Sequence, residues 1–217
     1  MDRILKMLFV LLIAKPLVNL ALGINLRQLE KLPRQGPYIL AANHNSHLDV
    51  LVLLSLFPIS AVHRVRPVAA ADYFLSNPLR AWFSLHVLGI IPLQRTPDRK
   101  NLDTLFGQCS ESLDKGEILI IFPEGSRGKP EVMGPIKKGI YRLLKDRQDC
   151  AVMPIMMRGL GRALPRGTAR LVPFNCDVVI GQSMTELGDP AKFVSRLQAD
   201  FDELSTYCLT STLAEEE

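Results

Sequence analysis

The sequence predicts an α/β fold: a mixed or mostly parallel sheet flanked by helices, preceded by an interfacial segment of two short helices. Three observations carry this expectation. Six apolar runs of strand length alternate with stretches of helical periodicity. The chain has 217 residues, 47% of them hydrophobic, enough to bury one substantial core. Its first two dozen residues are apolar apart from isolated polar positions. Residues 1–24 are therefore expected to form a membrane-associating helical segment, and residues 25–217 one folded domain.

In the N-terminal segment, Ile4 to Ile13 is apolar except for Lys6, and Leu17 to Ile24 is apolar except for Asn19 and Gly23. Lys15-Pro16 lies between the two runs. A membrane-spanning helix needs about 20 largely apolar residues, and a Lys followed by Pro both costs insertion energy and breaks a helix. Two short helices lying in the interface are thus preferred to a single span. A cleaved signal peptide is the third reading. Arg3 and Lys6 precede an apolar run, but no small-x-small cleavage site follows before Lys15.

Pro33-Arg34-Gln35-Gly36-Pro37 reads as a turn and Tyr38 to Ala42 as a short buried strand. The polar cluster Asn43 to Asp49 then opens an apolar helix, Val50 to Phe57, closed by Pro58. Further strands are expected at Val65 to Ala70, Gly89 to Leu93, Glu117 to Phe122, Ala151 to Met157 and Cys176 to Ile180. Helical patterns fall between them at Asn101 to Lys115, Gly139 to Lys145 and Ala191 to Leu209.

Lys and Arg number 26 against 22 Asp and Glu, a formal charge of +4. Such mild, clustered basicity suits phosphate-bearing ligands or an anionic bilayer, and no nucleic-acid partner is expected. The four cysteines, at 109, 150, 176 and 208, stand at least 26 residues apart, without the C-x-x-C spacing of zinc or redox sites. They read as buried, reduced thiols in a cytosolic compartment.

Two constellations carry chemistry. In the first, Asn43-His44-Asn45-Ser46-His47-Leu48-Asp49, a His and an Asp lie five residues apart just after a strand. In an unbroken helix they would point roughly 140° apart, so they can meet only if His44 lies in the loop. Ser46 or Asn45 is a good N-cap, which places Asp49 in the first helical turn. An Asp bonded to one imidazole nitrogen leaves the other free to take a proton, making His44 a positioned general base. A surface hydrogen bond or a cap is the plainer reading of the same residues. A metal trio of His44, His47 and Asp49 lacks both H-E-x-x-H spacing and a further ligand cluster, and no metal is expected. No G-x-S-x-G elbow or phosphate loop is present, so attack by a substrate hydroxyl is simpler than a covalent acyl-enzyme.

In the second, the strand run Glu117 to Phe122 empties into Pro123-Glu124-Gly125-Ser126-Arg127-Gly128. Strand ends of this kind are where α/β proteins bind ligands. Arg127 could grip a phosphate in bidentate fashion, and Glu124 could accept hydrogen bonds from a polyol or hold Arg127. A surface turn with a local ion pair is the alternative. Lys137 and Lys138 add two cations, read either as a second phosphate grip or as solvated lysines. Arg95 follows another strand end. Together these cations outline a site for an anionic headgroup.

With those residues in place, the chain resembles the glycerophospholipid acyltransferase family typified by bacterial 1-acylglycerol-3-phosphate acyltransferase. Its four blocks occur here in the same order, between about residues 35 and 160. His44 to Asp49 matches H-x-x-x-x-D, Gly89 to Arg95 matches G-x-x-x-x-x-R, Phe122 to Arg127 gives F-P-E-G-S-R, and Val152-Met153-Pro154-Ile155 resembles the Pro-containing fourth. The resemblance implies that His44 is the base and Asp49 its orienting partner. It implies that Arg95 and Glu124-Gly125-Ser126-Arg127 bind the phosphate and glycerol of a lysophospholipid acceptor, with lysophosphatidic acid the default. It implies an acyl-CoA or acyl carrier protein donor, no resident cofactor, and an N-terminal anchor on a membrane surface, at the cytoplasmic face of the inner or cell membrane. Two positions depart from the pattern: His47 replaces a frequent aromatic or apolar residue, and Pro92 replaces a frequent Phe. A carrier-independent transacylase, a hydrolase and a catalytically silent lipid-binding protein are the alternatives.

Overall fold

The computed structural model describes residues 1–94, 106–128, 131–147, 149–164 and 171–210. Arg95 and the first residues of the helix expected from Asn101 lie outside them.

Seven strands form one sheet in the order β1-β7-β6-β2-β5-β3-β4. They are Gly23–Arg27 (β1), Tyr38–Ala42 (β2), Val65–Ala70 (β3), Ile91–Leu93 (β4), Ile118–Ile121 (β5), Ala151–Arg158 (β6) and Asn175–Ile180 (β7). Every neighbouring pair is parallel except β6 with β7, so the sheet is mixed but mostly parallel. Parallel strands joined by helical crossovers need helices on both faces, and the two core clusters show that arrangement. Leu40, Ala42, Ile118, Ile120, Met153 and Ile155 point into one cluster. Ile39, Ala41, Leu119 and Val152 point into the other. The first face is covered by the N-terminal helical run and by Asp49–Ser55 (α3). The second is covered by Gly107–Asp114, Gly139–Leu144 and the 17-residue helix Pro190–Thr206.

The N-terminus differs from the sequence expectation. Asp2–Phe9 (α1) and Lys15–Ala21 (α2) are not separated at Lys15-Pro16; a π-helical stretch, Val10–Ala14, joins them into one helical run. The Lys15 N–H reaches back five residues to the Val10 carbonyl. The widened turn leaves Pro16 in the first turn of α2, where no N–H is required of it. The 20 residues Asp2–Ala21 are long and apolar enough to cross a bilayer by length and composition. Their lysines nevertheless point into the protein. Lys6 Nζ donates to the carbonyls of Val65 and Leu88, the latter at 2.7 Å. Lys15 Nζ donates to the Ser55 carbonyl at the end of α3, at 2.8 Å. Val10, Ala14 and Val18 are buried on the domain, while Ile4, Leu8, Leu11, Leu12, Ile13 and Leu20 are exposed on the other side.

Strand β1 was not expected. Gly23 to Arg27 follows α2 directly through extended Leu22, with only Gly23 itself at the change, and pairs with β7 at the sheet edge. The strand expected at Gly89 starts only at Ile91, because Gly89 ends a preceding π-helical stretch, Phe83–Leu88, in the left-handed conformation (φ 66°). Two further short helices, Ala71–Phe74 (α4) and Pro78–Trp82 (α5), precede that stretch.

Candidate active site

The loops that leave the C-terminal ends of β2, β5 and β6 meet over the middle of the sheet, the usual place for a ligand site in such folds. The loop after β2 runs from Asn43 to Leu48, and α3 begins at Asp49. His44 therefore lies outside the helix, and its Nδ1 stands 2.8 Å from Asp49 Oδ2. The same oxygen accepts the N–H groups of Asn45 (2.7 Å) and Ser46 (2.9 Å). Asp49 thus ties down the loop ahead of its own helix while it fixes the imidazole, and the helix start itself receives no side-chain cap. Ser46, one of the two expected caps, accepts the Leu48 N–H at 3.3 Å instead.

Asn43, which the sequence reading did not single out, and Asn45, read there only as a possible N-cap, hold this loop. Asn43 and Asn45 both donate a side-chain N–H to the Met157 carbonyl, at 2.8 and 2.9 Å. Asn43 Oδ1 also accepts the Met157 N–H at 2.7 Å. This places the β2 loop on the end of β6, the strand that carries the fourth sequence block. Phe122, the first residue after β5, stacks on the His44 ring with centroids 4.0 Å apart and planes at 16°. It covers one face of the imidazole.

Glu124 has a use that neither sequence reading anticipated. It is buried, with Oε1 accepting the His44 backbone N–H at 2.7 Å and Oε2 accepting the Gly134 N–H at 2.6 Å. Burial pushes its carboxyl up from the ordinary 4.5, against the pull of those two donors. Each oxygen is thereby engaged by backbone of the site. Gly125 turns the chain in the left-handed region (φ 74°), and a Cβ there would stand 2.6 Å from Lys137 Nζ. Glycine lets that ammonium lie against the turn, which the Lys137 N–H also ties down by bonding the Pro123 carbonyl at 2.9 Å. Ser126 is exposed and Arg127 half-buried on the same turn. Lys138 is exposed at the start of the helix Gly139–Leu144. His47 is exposed, its ring 6.2 Å from that of Tyr73.

Glu131, in the same long loop, is a second carboxylate used by backbone. It accepts the N–H groups of Gly159 and Gly161 at 2.8 and 3.2 Å, just after β6. Burial raises its pKa as well. Among the described residues, no group of three or more His, Cys, Asp or Glu could hold a metal ion. The site brings together one positioned imidazole, a half-buried arginine on a glycine turn and an exposed lysine lying against that turn. It is suited to proton abstraction from a bound hydroxyl.

Comparison with known proteins places the chain in a family. The chloroplastic 1-acyl-sn-glycerol-3-phosphate acyltransferase LPAT1 of Arabidopsis thaliana is 34% identical over 146 residues, which is 67% of this chain and 38% of that protein. The 1-acyl-sn-glycerol-3-phosphate acyltransferase of Helicobacter pylori is 27% identical over 136 residues, 62% of this chain and 54% of the relative. The matches thus span about two fifths to one half of those relatives. The crystal structure of the 1-acyl-sn-glycerophosphate acyltransferase PlsC from Thermotoga maritima superposes with a TM-score of 0.68, over 93% of this chain and 81% of that one, at 18% identity. It shares the fold. The acyltransferase family model matches residues 23–158, from β1 to the end of β6 and through the site loops that follow β2 and β5. The chain belongs to the acyltransferase family.

Proposed function

We propose that the protein transfers a fatty acyl group from a thioester carrier, acyl-CoA or acyl carrier protein, to the free hydroxyl of 1-acylglycerol-3-phosphate at a membrane surface. The observation that carries this reading is the 2.8 Å contact between His44 Nδ1 and Asp49 Oδ2 beside a turn that bears Arg127 and against which Lys137 lies. The relatives named for this acceptor support the choice of substrate.

With Nδ1–H donated to Asp49, the second ring nitrogen is the acceptor. It takes the proton of the acceptor hydroxyl as that oxygen attacks the thioester carbonyl. The tetrahedral intermediate collapses with cleavage of the C–S bond, and the imidazolium returns its proton to the departing thiolate. Backbone N–H groups or cations stabilise the oxyanion. Arg127 and Lys137 bind the acceptor phosphate, with Arg95 and Lys138 as further cations and Ser126 as a hydroxyl partner for the glycerol. Glu124 acts through the His44 backbone. No metal or cofactor takes part in the reaction as written. The N-terminal run lies in the interface, its exposed apolar side in lipid and its two lysines on the domain. The four buried free thiols suit the reducing, cytoplasmic side.

The test crosses acyl-CoA and acyl carrier protein donors with a panel of lyso-acceptors and identifies products by mass spectrometry. Diacylglycerol phosphate formed from 1-acylglycerol-3-phosphate, faster than product from neutral or choline-bearing acceptors, is the expected result. Transfer confined to another acceptor, or transfer without any thioester donor, would overturn the proposal.

A further inference from the structure

The segment from α4 to Leu88 carries a patch that the reaction does not use. The Asn77 side chain caps α5 by accepting the N–H groups of Leu79 (2.9 Å) and Arg80 (3.3 Å). The short helix so fixed turns Leu79 (81% exposed) and Trp82 (51% exposed) outward. Phe83 and Leu85 are exposed beside them, while Ser84 and Val87 of the same turn are buried. A helix of a soluble domain ordinarily places its large apolar side chains inward, so this amphipathicity is inverted.

The patch is continuous with two other features. At one end Phe83 meets Phe9 of α1 edge to face, with centroids 5.3 Å apart, and His86 Nδ1 stands 3.1 Å from Asp2. The exposed apolar side of the N-terminal run and this patch are thus joined through those contacts. At the other end Tyr73 lies beside His47, three residues from His44. Arg80 lies over the Tyr73 ring, 4.7 Å from its centre, and Arg3, next to Asp2 on α1, is exposed. Among the described residues, the acidic groups on this side are Asp2, engaged by His86, and exposed Asp72. Aliphatic and aromatic side chains rimmed by arginines match the chemistry of an anionic bilayer surface, where aromatic rings sit at headgroup level and guanidinium groups meet phosphate.

The geometry points to residues 73–85 as a second membrane-contacting face, which rests on the bilayer beside the N-terminal run and leads lipid acceptor from the leaflet toward His44. This inference rests on the interfacial reading given above. It differs from that reading in placing Trp82 and Leu79 in lipid, where an N-terminal anchor alone would leave them in water.

Trp82 is the sole tryptophan and reports its own environment. The full chain is mixed with vesicles of phosphatidylcholine and phosphatidylglycerol, with or without bromine on the acyl chains. Binding is followed by co-sedimentation and Trp82 by its emission. The expected result is a blue shift on binding and quenching by the brominated lipid. Leu79→Glu should weaken vesicle binding by roughly tenfold, the lower end of what burying one leucine side chain contributes. Its turnover of detergent-solubilised acceptor should be unchanged. Leu209→Glu, after the C-terminal helix on the opposite face of the sheet, should bind vesicles as the parent does. Co-sedimentation without quenching would overturn this second face and leave the N-terminal anchor standing. Failure to sediment would overturn both. Blue-shifted emission without lipid, accompanied by self-association in sedimentation velocity, would assign the patch to a second copy of the chain and so refute the inference.

Discussion

Glu124→Gln separates a residue that positions the imidazole from one that binds substrate. In the parent, one carboxylate oxygen accepts the His44 N–H at 2.7 Å and the other the Gly134 N–H at 2.6 Å, and the side chain is buried. A glutamine keeps one acceptor oxygen but turns an NH2 group toward the other donor. One buried N–H is therefore left unpaired, at a cost of about 1–3 kcal/mol. If that cost falls on the placement of His44, kcat drops roughly fivefold to 150-fold, since about 1.4 kcal/mol corresponds to a tenfold change in rate. KM for the acceptor should stay within about threefold, because no group that touches the phosphate has changed. Steady-state kinetics at saturating donor, with the acceptor varied, distinguishes the outcomes. A melting temperature lower by roughly 2–12 °C should accompany the loss, given about 2–4 °C per kcal/mol for a chain of this size. An acceptor KM raised more than about tenfold with kcat intact would refute the reasoning and return Glu124 to direct contact with substrate.

Other outcomes follow from the same contacts. Asn43→Ala removes both bonds to Met157 and should destabilise the protein by about 2–4 kcal/mol in urea titration, with a parallel fall in kcat, since it leaves a buried N–H without its partner. Burial and the neighbouring Arg66 hold Lys6 near pKa 7 in the fold against an ordinary 10.5. The unfolded chain therefore binds more protons between those values, and stability should rise with pH from about 7 to 10.5. Lys6→Met should lose that part of the rise in melting temperature, while a slope equal to the parent's would contradict the assigned burial. The four thiols are buried and pushed up to about 12, so an alkylating reagent at neutral pH should modify none in the folded chain and all four after denaturation. Rapid labelling of any one in the native protein would show that burial at that position is wrong. Thr210→Val removes one of the hydrogen bonds that, against burial, hold Asp177 below its ordinary 3.8. A depressed carboxyl contributes stability that is lost as pH falls below about 3.8, so the variant should lose less stability over that acid limb.

Much of the sheet was legible because its central strands are buried on both faces. Runs such as Ile118 to Ile121 then lack polar alternation and stand out from their surroundings. Strand β1 was not legible, because it sits at an edge, carries Asn25 and Arg27, and follows a helix with only Gly23 at the change. Lys15-Pro16 misled for a related reason: the sequence shows a helix breaker but not the π-helical turn that accommodates it. The spacing of His44 and Asp49 was informative because helix geometry forces the histidine into the loop. The direction of the Glu124 side chain was not, since His44 is brought near by the pairing of β5 with β2 and Gly134 by the folding back of the loop after β5. The Asn43 and Asn45 contacts to Met157 span 114 and 112 residues, and nothing local announces them. A polar residue next to His44, between a buried strand and a helix, is the one signal that could have raised the question.

The most direct test of the central claim is single-turnover acyl transfer to 1-acylglycerol-3-phosphate by His44→Ala, compared with the parent at matched fold as judged by circular dichroism and melting temperature. The ring of His44 is part-exposed and contributes one stacking contact, so the variant should fold. If His44 removes the acceptor proton, the rate falls by roughly 100-fold or more, the usual contribution of a positioned general base, with binding of the acceptor retained. Turnover within about threefold of the parent would contradict the account, for no other described residue is placed to take that proton.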